Sequence, residues 1–448
     1  MADTRVEIIR RLARKGAGAA LHRALTKTRA EDIARAITHL APEQQRLVMG
    51  HIEDEAKGSD ILTALEETDL VELAQSLPFD RLIAMLEQME VDDEADIIDL
   101  LPEELRQRVL DTIKDQDKEM VEDLLSWPED SAGGIMQPMA FRLNEDLTCR
   151  DAIKALHDQH DQLEMVFYLY VENEADHLVG VTSLRALLTH SPSTPLSAIM
   201  SSDIISVAPS TDQEEVARIV SRYDLLAIPV VDEHRRMLGI ITIDDVVDVI
   251  KEEAVEDMLL MAGVGDELQS GATAFQAARQ RLIWLSVTLI GGIGMAELIG
   301  VFEDVLASKA ILAGFIPVML GMGGNVGIQA ATIAVRDIAT GHTDTRGVRY
   351  VLFREVKVGL LLGLVFAAVL GGYASIRWMN EIPLMGVAIA ISISATVISS
   401  AALGTSVPIT LNRLGIDPAV ATGPFVTTGI DVVAILIYFS TAVFILGV

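Results

Sequence analysis

The sequence predicts a multidomain membrane protein, with an all-α, solenoid-like N-terminal domain, an α/β domain made of two repeats, a connecting helix and five α-helical transmembrane spans. Three observations favour this architecture. With 448 residues, the chain is too long to fold around a single hydrophobic core, so several domains are expected. Its mean hydropathy is positive, at +0.36, although 22% of its residues are charged. Its long apolar runs are all confined to the part that follows residue 282.

The charge is distributed as unevenly as the hydropathy. The part from Ile283 onward has eight Lys or Arg and nine Asp or Glu, so nearly all of the net charge of −30 lies in the first 282 residues. An acidic domain of this kind repels nucleic acid and anionic lipid, which excludes a nucleic-acid partner, and it attracts cations. A simpler interpretation, that the acidic surface only keeps the protein soluble, stays open.

Cys149 is the one cysteine of the sequence, which excludes an intrachain disulfide and a thiolate metal site. The first 18 residues are basic and polar and lack the apolar core of a signal peptide. The acidic part of the chain is therefore expected to stay in the cytoplasm.

Residues 1–128 predict an acidic helical N domain, with apolar residues at helical spacing. Pro42, Pro78 and Pro102 each follow an apolar stretch and are expected to open the next helix, where a missing N–H costs nothing. Their separations of 36 and 24 residues favour stacked short helices, an α-solenoid. An ordinary helical bundle is the alternative.

Residues 129–250 alternate strand-like and helical runs and contain an internal repeat. Ile135-Met136 recurs as Ile199-Met200, and the phrase beginning at Leu178 recurs at Leu238. The predicted strands are 165–171, 177–181, 227–231 and 237–242, and the predicted helices are 149–159 and 212–223. The repeated β-β-α pattern resembles a tandem pair of CBS motifs, which implies an α/β tandem CBS domain that binds ligands in clefts between its halves.

A connecting helix and linker are predicted for residues 251–280, and the transmembrane domain is predicted for residues 281–448. Its five apolar runs lie at roughly 283–302, 310–334, 356–376, 384–411 and 424–446, each long enough to cross the hydrocarbon core of a bilayer. Six Lys or Arg fall in the loops on one side and two in the loops on the other. The positive-inside rule then places the N-terminus in the cytoplasm and the C-terminus outside, in the inner or plasma membrane. Five spans are few for a complete path, so a homodimer is expected.

Ionisable side chains inside these runs are rare, and such residues usually mark a substrate path. Asp431 lies about two turns into the last run, after Pro424, Thr427, Thr428 and Gly429. A structural role, in which Asp431 only bonds one helix to another, is the alternative.

The second run contains Gly321-Met-Gly-Gly-Asn325-Val-Gly-Ile-Gln329, four glycines with two amides in the middle of a span. This composition predicts an unwound segment whose carbonyl oxygens suit a hard cation. Close packing of helices through small residues is the alternative, although it does not explain Asn325 and Gln329.

The donor atoms in the spans are oxygens, with no Cys or His, which disfavours Zn²⁺, Cu⁺ and Fe²⁺. One carboxylate per subunit, with amides, hydroxyls and carbonyls, suits Mg²⁺, which keeps its water shell. The spacing leaves Mn²⁺, Co²⁺ and Ca²⁺ open.

Over nearly its full length the chain resembles the MgtE family of Mg²⁺ transporters and channels. The most specific phrase runs from Asp417-Pro-Ala-Val to Thr427-Thr-Gly-Ile-Asp431, and two others begin at Pro317 and Arg354. The resemblance implies a homodimer with a central pore in which Asp431 recognises the hydrated ion. The expected pore-metal residues are Asp431, Asn325, Thr427, Glu355 and Asp417.

The resemblance also gives the acidic clusters a role, because several of them match family positions that bind regulatory Mg²⁺ between domains. The matching residues are Asp92, Asp96, Asp224, Asp245, Asp248 and Asp257, and Glu253 and Glu256 accompany them on the connecting helix. Mg²⁺ that bridges such faces is expected to close the channel as cytoplasmic Mg²⁺ rises. Solvated surface carboxylates are the alternative for each one.

CBS clefts often bind adenine nucleotides, and the second repeat keeps Thr242-x-x-Asp245. In the first repeat Ala186 stands where nucleotide-binding relatives commonly have Asp, so ATP is an open cofactor, with Arg185 and Thr242 as weak candidate contacts.

The sequence does not favour an enzyme, because it has no P-loop and no Ser-His-Asp arrangement, and its only His after residue 282 is His342. Influx of Mg²⁺ down its electrochemical gradient is the predicted function. The alternatives are a proton- or Na⁺-coupled divalent cation (Co²⁺/Mn²⁺) transporter and a membrane-tethered CBS sensor that conducts nothing.

Overall fold

A computed structural model describes residues 2–158, 167–264, 274–339, 347–421 and 423–447. The chain divides into two compact units, Met1–Lys251 and Glu252–Val448. The predicted fold class is confirmed: a helical N-terminal part, a small α/β part and a set of long apolar helices follow one another along the chain.

The first unit begins with short helices whose buried Leu, Ile, Val and Ala side chains form one continuous hydrophobic core. Pro42 is the first residue of its helix, and Pro78 and Pro102 directly precede theirs, as predicted. The helices are α1 (Ala2–Arg14), α2 (Gly18–Leu25), α3 (Ala30–Ile37), α4 (Pro42–Met49), α5 (Glu55–Thr63), α6 (Glu67–Ser76), α7 (Phe79–Leu86), α8 (Val91–Leu100), α9 (Glu103–Leu110) and α10 (Asp115–Leu124).

The α/β part of the first unit contains the repeat that the sequence predicts. The elements are β1 (Arg142–Asn144), α11 (Cys149–Asp158), β2 (Tyr168–Glu172), β3 (Leu178–Ser183), α12 (Leu184–Thr189), α13 (Gln213–Tyr223), β4 (Ala227–Val231) and β5 (Met237–Thr242). In the first repeat β1 pairs parallel with β2, and β2 pairs antiparallel with β3. In the second, Val207 pairs parallel with Val230 of β4, and β4 pairs antiparallel with β5. Part of the strand predicted at 165–171, and residue 159 of the first predicted helix, lie outside the described residues.

The connecting helix α14 (Ile243–Met261) begins earlier than the predicted segment 251–280, directly after β5. The boundary between the two units falls within it. The predicted linker residues 265–273 lie outside the described part of the chain.

Among the described residues, five helical stretches are long and apolar enough to cross a membrane, as predicted: Ala274–Gly300, Ala310–Ala339, Val348–Trp378, Met385–Arg413 and Phe425–Leu446. We call them the first to fifth spans. Half of the most apolar stretch of the fourth span is buried, against 6% for the first, so the fourth span is the centre of the bundle. The helices are α15 (Ala274–Gly300), α16 (Glu303–Ser308), α17 (Ile316–Ala339), α18 (Val348–Phe366), α19 (Gly372–Trp378), α20 (Met385–Arg413) and α21 (Pro424–Leu446), and a π-helical turn, Ala367–Gly371, joins α18 to α19.

The unwound segment predicted in the second span is wrong, because α17 is one unbroken α-helix from Ile316 to Ala339. Its glycines allow close packing instead. A Cβ added to Gly327 would overlap the Cδ1 of Ile430 in the fifth span, and a Cβ added to Gly404 of the fourth span would overlap the Gly327 carbonyl. Packing at this distance compensates for the low helix propensity of glycine.

Candidate cation path and acidic carboxylate pairs

One face of the second span carries polar groups at a depth where hydrocarbon would surround them. Gly321, Asn325 and Gln329 are spaced four residues apart, so they share one face of α17. All three are exposed in the single chain, and within the described residues neither amide has a hydrogen-bond partner. An amide without a partner in hydrocarbon costs several kcal/mol, on the order of 4 to 8. This face is therefore suited to water or to another protein surface.

The fifth span places Asp431 beside a polar first turn. The helix α21 starts at Pro424, and the Thr427 hydroxyl donates to the carbonyl of Gly423 at 3.2 Å. Asp431 lies one turn after Thr427, is partly buried, and has no hydrogen bond or ion pair with any described residue. An ionised carboxylate in such a place needs a compensating positive charge. A hydrated dication supplies that charge and also donates hydrogen bonds through its water.

Packing fixes the position of Asp431. The residue before it, Ile430, is 1% exposed and fits over Gly327 of the second span and Val426 of its own helix. Tyr438, two turns further along, is fully buried and donates to the carbonyl of Leu312 at 2.8 Å. The second and fifth spans therefore hold the amide face and the carboxylate as parts of one rigid bundle.

Glu355, predicted as a pore residue, belongs to an ion network at one end of the bundle. It is 5% exposed, and its Oε1 accepts from Arg354 Nε at 3.0 Å. Arg354 also donates to Asp337 Oδ2 at 3.1 Å, and Arg336 donates to Asp337 Oδ1 at 2.7 Å. This network joins the end of the second span to the start of the third.

Sequence reasoning missed Asp337, which is as buried as Glu355. The signal was present, because Arg336-Asp337 and Arg354-Glu355 are the same basic–acidic pair at the facing ends of two consecutive spans. Such a repetition indicates a salt-bridge network where helix ends leave the hydrocarbon.

Asp257 and Asp417, 160 positions apart in the sequence, are brought together at the connecting helix. Asp417 is exposed, precedes the fifth span and accepts from the Ala419 N–H at 2.7 Å. Burial, together with the negative charges of Asp417 and Glu253, raises the pKa of Asp257 to about 6. Leu260 of the same helix packs on Val335 of the second span and on Ala419. The end of α14 thus contacts the two segments that lead to the amide face and to Asp431.

Asp92 and Asp245, on α8 and α14, form a second acidic pair, and this one lies wholly in the first unit. Asp92 is 8% exposed, and its Oδ1 has no hydrogen-bond partner in the described part of the chain. Burial raises the pKa of Asp92 well above its usual value, and the charges of Asp245, Asp93 and Glu90 add to the effect. Burial also raises the pKa of Asp245, although that carboxylate accepts from the Thr242 N–H at 3.1 Å and hydroxyl at 2.6 Å.

Carboxylate oxygens in close pairs, such as Asp257 with Asp417 and the buried Asp92 with Asp245, fit a hard dication such as Mg²⁺. Within the described residues, however, no three His, Cys, Asp or Glu side chains already have the arrangement of a metal site. Water would therefore complete the shell of an ion held by either acidic pair.

The other predicted regulatory residues are more exposed than Asp92. Asp96 lies one turn after Asp92 and is exposed. Asp224 ends α13 in the left-handed conformation, with a φ of 52°. Asp248 is exposed and pairs with Lys251 at 2.6 Å. Glu253 and Glu256 are partly buried on the connecting helix.

The two candidate nucleotide contacts differ in their surroundings. Arg185 is exposed on α12. The Thr242 hydroxyl is already bonded to Asp245 and Asp244. Ser183, the equivalent of Thr242 in the first repeat, caps α12 by accepting from the Ala186 N–H at 3.1 Å.

Comparison with known proteins gives matches along the chain. Residues 28–130 match the model of the MgtE intracellular N domain, residues 196–252 that of the CBS domain, and residues 316–441 that of the divalent cation transporter MgtE. Two proteins named magnesium transporter MgtE, from Thermus thermophilus and Bacillus subtilis, are each 35% identical to the chain, over 430 and 357 residues. The first alignment covers 94% of both chains, and the second covers 80% of this chain and 79% of the Bacillus protein.

Two solved structures each match a little more than half of the chain. One is a crystal structure of the cytosolic domain of the Mg²⁺ channel MgtE in complex with ATP, which is 33% identical in sequence and has a TM-score of 0.52. The match covers 55% of this chain and 99% of that structure. The other is a crystal structure of the soluble part of a magnesium transporter, which is 25% identical and also has a TM-score of 0.52. This match covers 57% of this chain and 100% of that structure. Since one relative is 35% identical over nearly the full length of both chains, the protein belongs to the MgtE family of divalent cation transporters.

Proposed function

We propose that the protein conducts Mg²⁺ into the cell down its electrochemical gradient, and that Mg²⁺ on the cytoplasmic side closes the path. The observation that carries this proposal is the partly buried carboxylate of Asp431, which has no partner among the described residues although it lies within a membrane span. Two relatives with the name magnesium transporter support Mg²⁺ as the ion.

The path is lined by Asp431, Thr427 and Asn325, with Glu355 and Asp417 at its cytoplasmic end. Asp431 attracts the dication, and the amide face of the second span bonds its water shell. Mg²⁺ dehydrates reluctantly and is commonly held by one or two carboxylates through water, so a few oxygen donors are enough. Tight binding is not needed, because conduction requires that the ion leaves as easily as it enters.

The protein acts as a homodimer in this proposal. The face with Asn325 and Gln329 is exposed in one chain and cannot be left to lipid. Two copies related by a two-fold axis would place two such faces and two Asp431 carboxylates around a shared aqueous path. The N-terminus lies in the cytoplasm and the C-terminus outside, in the inner membrane.

Closure uses the acidic pairs. Without metal, Asp257 repels Asp417, and Asp92 repels Asp245, because like charges in partly buried sites disfavour each other. Mg²⁺ that bridges a pair removes the repulsion and stabilises the arrangement in which the pair is close. Asp96, Asp224, Asp248, Glu253 and Glu256 add further weak ligands.

The end of the connecting helix is the moving part. Leu260 and Asp257 lie on the segments that lead into the second and fifth spans, so a bridge from Asp257 to Asp417 holds α14 against the path. A shift of the closed fraction from about 1% to 99% needs roughly 5.5 kcal/mol of differential binding. Several weak sites that act together can supply this free energy.

The domains proceed from the helical N domain at 1–128, through the CBS domain at 129–250 and the connecting segment at 251–280, to the pore domain at 281–448. A nucleotide in the CBS cleft would meet Arg185 and Thr242. Since Asp245 already engages the Thr242 hydroxyl, ATP would compete with the acidic pair for the same group.

The experiment is Mg²⁺ flux into proteoliposomes by the wild type, Asp431→Asn and Glu297→Gln. Glu297 is the matched control, because it is a carboxylate in the first span that is exposed. Asp431→Asn is expected to abolish flux and Glu297→Gln to retain it, with both proteins folded. Equal flux through the wild type and Asp431→Asn would reject the site. Flux that needs a proton or Na⁺ gradient would favour a coupled transporter.

A further inference from the structure

Two histidines of the N domain meet in a cavity that the proposed Mg²⁺ path and its acidic pairs do not use. A cavity of about 330 Å³ lies between α2 and the loop that joins α4 to α5. His22, His51, Glu53 and Asp54 are among its lining residues. His22, His51 and Glu53 also line a shallower depression beside it.

Backbone hydrogen bonds fix the protonation of both rings. His22 Nδ1 lies 3.0 Å from the carbonyl of His51, and His51 Nδ1 lies 2.8 Å from the carbonyl of Leu47. A carbonyl oxygen only accepts, so Nδ1 carries the proton in both rings, and Nε2 of each neutral ring keeps its lone pair. This is the arrangement in which protein imidazoles bind metal ions.

The two rings share one face of α2. A Cβ added to Gly18 would lie 2.9 Å from His51 Nε2, so that nitrogen sits above the Gly18 position. His22 follows Gly18 by four residues, and side chains at that spacing lie about 5–6 Å apart on the same face of a helix. The His51 ring and the His22 side chain are therefore neighbours on this face of α2.

The charges around the cavity favour a cation. Lys57, in the lining of the cavity, donates its ammonium protons to the carbonyls of Leu25 and Thr28, at 2.8 and 2.6 Å. Arg23, in the lining of the depression, donates from Nε to the carbonyl of Ala19 at 3.1 Å. The Glu53 and Asp54 carboxylates are exposed and have no hydrogen bond or ion pair with any described residue. Imidazole nitrogens with flanking carboxylates suit Zn²⁺, Co²⁺ or Ni²⁺, whereas Mg²⁺ prefers oxygen ligands alone.

We propose that His22 and His51 bind one transition-metal dication of the Zn²⁺, Co²⁺ and Ni²⁺ class, which links α2 to the α4–α5 loop. No third protein ligand converges on the rings within the described residues, so water fills the remaining positions and Glu53 and Asp54 stabilise the charge. The site is separate from Mg²⁺ conduction, and Mg²⁺ flux in buffer without transition metals does not depend on it.

The test is calorimetric titration of Zn²⁺ into the full-length protein, stripped of metal and then saturated with Mg²⁺ to occupy its carboxylate sites. The variants His22→Gln and His51→Gln keep an N–H donor for the same carbonyls, so they preserve the fold. His39→Gln is the control, because His39 is an exposed histidine of the same domain.

We expect the wild type and His39→Gln to bind one Zn²⁺ per chain with equal affinity. Each of His22→Gln and His51→Gln should weaken that binding by roughly tenfold or more, and the double variant should abolish it. Gly18→Ala should also weaken it, because its methyl group displaces His51 Nε2. Zn²⁺ should raise the unfolding temperature of the wild type but not of the double variant.

No Zn²⁺ binding by the wild type would overturn the proposal. Equal binding by the wild type and the double variant would mean an adventitious ion only, and would overturn it as well. Mg²⁺ flux measured on the same preparations separates this result from the fate of the conduction proposal.

Discussion

Replacing Gly327 by alanine is expected to damage the membrane bundle where the second, fourth and fifth spans meet. The new methyl group would overlap Ile430 Cδ1 and would lie 3.3 Å from Ile430 Cγ1 and 3.6 Å from the Ser400 carbonyl. Backbone of the fourth span closes the other side, because Gly404 packs directly on the Gly327 carbonyl. The added group therefore cannot be accommodated without moving Ile430.

The size of the effect follows from that geometry. Overpacking of a tight core by one methyl group costs roughly 1 to 3 kcal/mol. Ile430→Val removes the atom that overlaps, at a cost of about 0.5 to 1.5 kcal/mol when made alone. In the double variant the overlap is gone, so the two changes should couple by about 1 to 2 kcal/mol.

Two readouts measure the effect: the midpoint of unfolding in detergent and Mg²⁺ flux in proteoliposomes. Gly327→Ala should lower both, because Ile430 precedes Asp431 and its displacement moves the carboxylate. Ile430→Val in the same chain should restore part of each. Gly372→Ala in the third span is the control, since an added Cβ there meets no atom of the described residues within 4 Å. Wild-type stability of Gly327→Ala, or penalties that simply add in the double variant, would refute the packing account.

Three further changes test other parts of the structure. Tyr438→Phe removes the buried hydrogen bond to the Leu312 carbonyl and should lower the free energy of unfolding by about 1 to 2 kcal/mol, measured by denaturant titration. Asp337→Asn leaves two arginines without their shared acceptor and should cost roughly 3 kcal/mol in the same assay, whereas Asp304→Asn, outside that network, should have little effect. Burial raises the pKa of Glu94 to about 7, so folding disfavours its charged form, and its contribution to stability is complete below about pH 4.5 and lost as the pH rises through 7. Above pH 7 in metal-free buffer, Glu94→Gln should therefore be more stable than the wild type by up to about 3 kcal/mol and should unfold at a higher temperature. Near pH 4 the two proteins should unfold at the same temperature. A difference in unfolding temperature that stays constant across this pH range would contradict the raised pKa of Glu94.

The alternation of apolar runs and polar turns predicted the short, buried strands of the α/β part well. The strands Ala227–Val231 and Met237–Thr242 have the predicted bounds, because the polar turn that begins at Asp232 separates the two apolar runs. The first span begins at Ala274, well before the predicted residue 283, because its first turns are polar and continue the helix outside the apolar run.

Glycine in the second span could not be interpreted correctly from propensity. Host–guest scales assign a cost to glycine in an isolated helix, but Gly327 is placed against Gly404 and Ile430, and the contact that it permits outweighs that cost. Which side of a helix meets a neighbour depends on tertiary packing, which a single sequence does not provide.

The candidate sites were predictable residue by residue but not as groups. Asp92, Asp245, Asp257 and Asp417 were all singled out from the sequence, yet their pairing as Asp92 with Asp245 and Asp257 with Asp417 joins positions more than 150 residues apart. Asp337, which shares Arg354 with Glu355, was missed for the same reason, because it lies at the end of a different span.

We propose above that Mg²⁺ passes the Asp431 carboxylate, which has no partner among the described residues, by electrodiffusion and under the control of cytoplasmic Mg²⁺. The direct measurement is the Mg²⁺ current through purified protein in a planar bilayer, without any proton or Na⁺ gradient. We expect a current that follows the Mg²⁺ electrochemical gradient and falls when Mg²⁺ is raised on the cytoplasmic side. The Asp431→Asn variant should carry no such current. A wild-type protein that carries no Mg²⁺ current at any cytoplasmic Mg²⁺ concentration, or an Asp431→Asn variant with the full current, would contradict it.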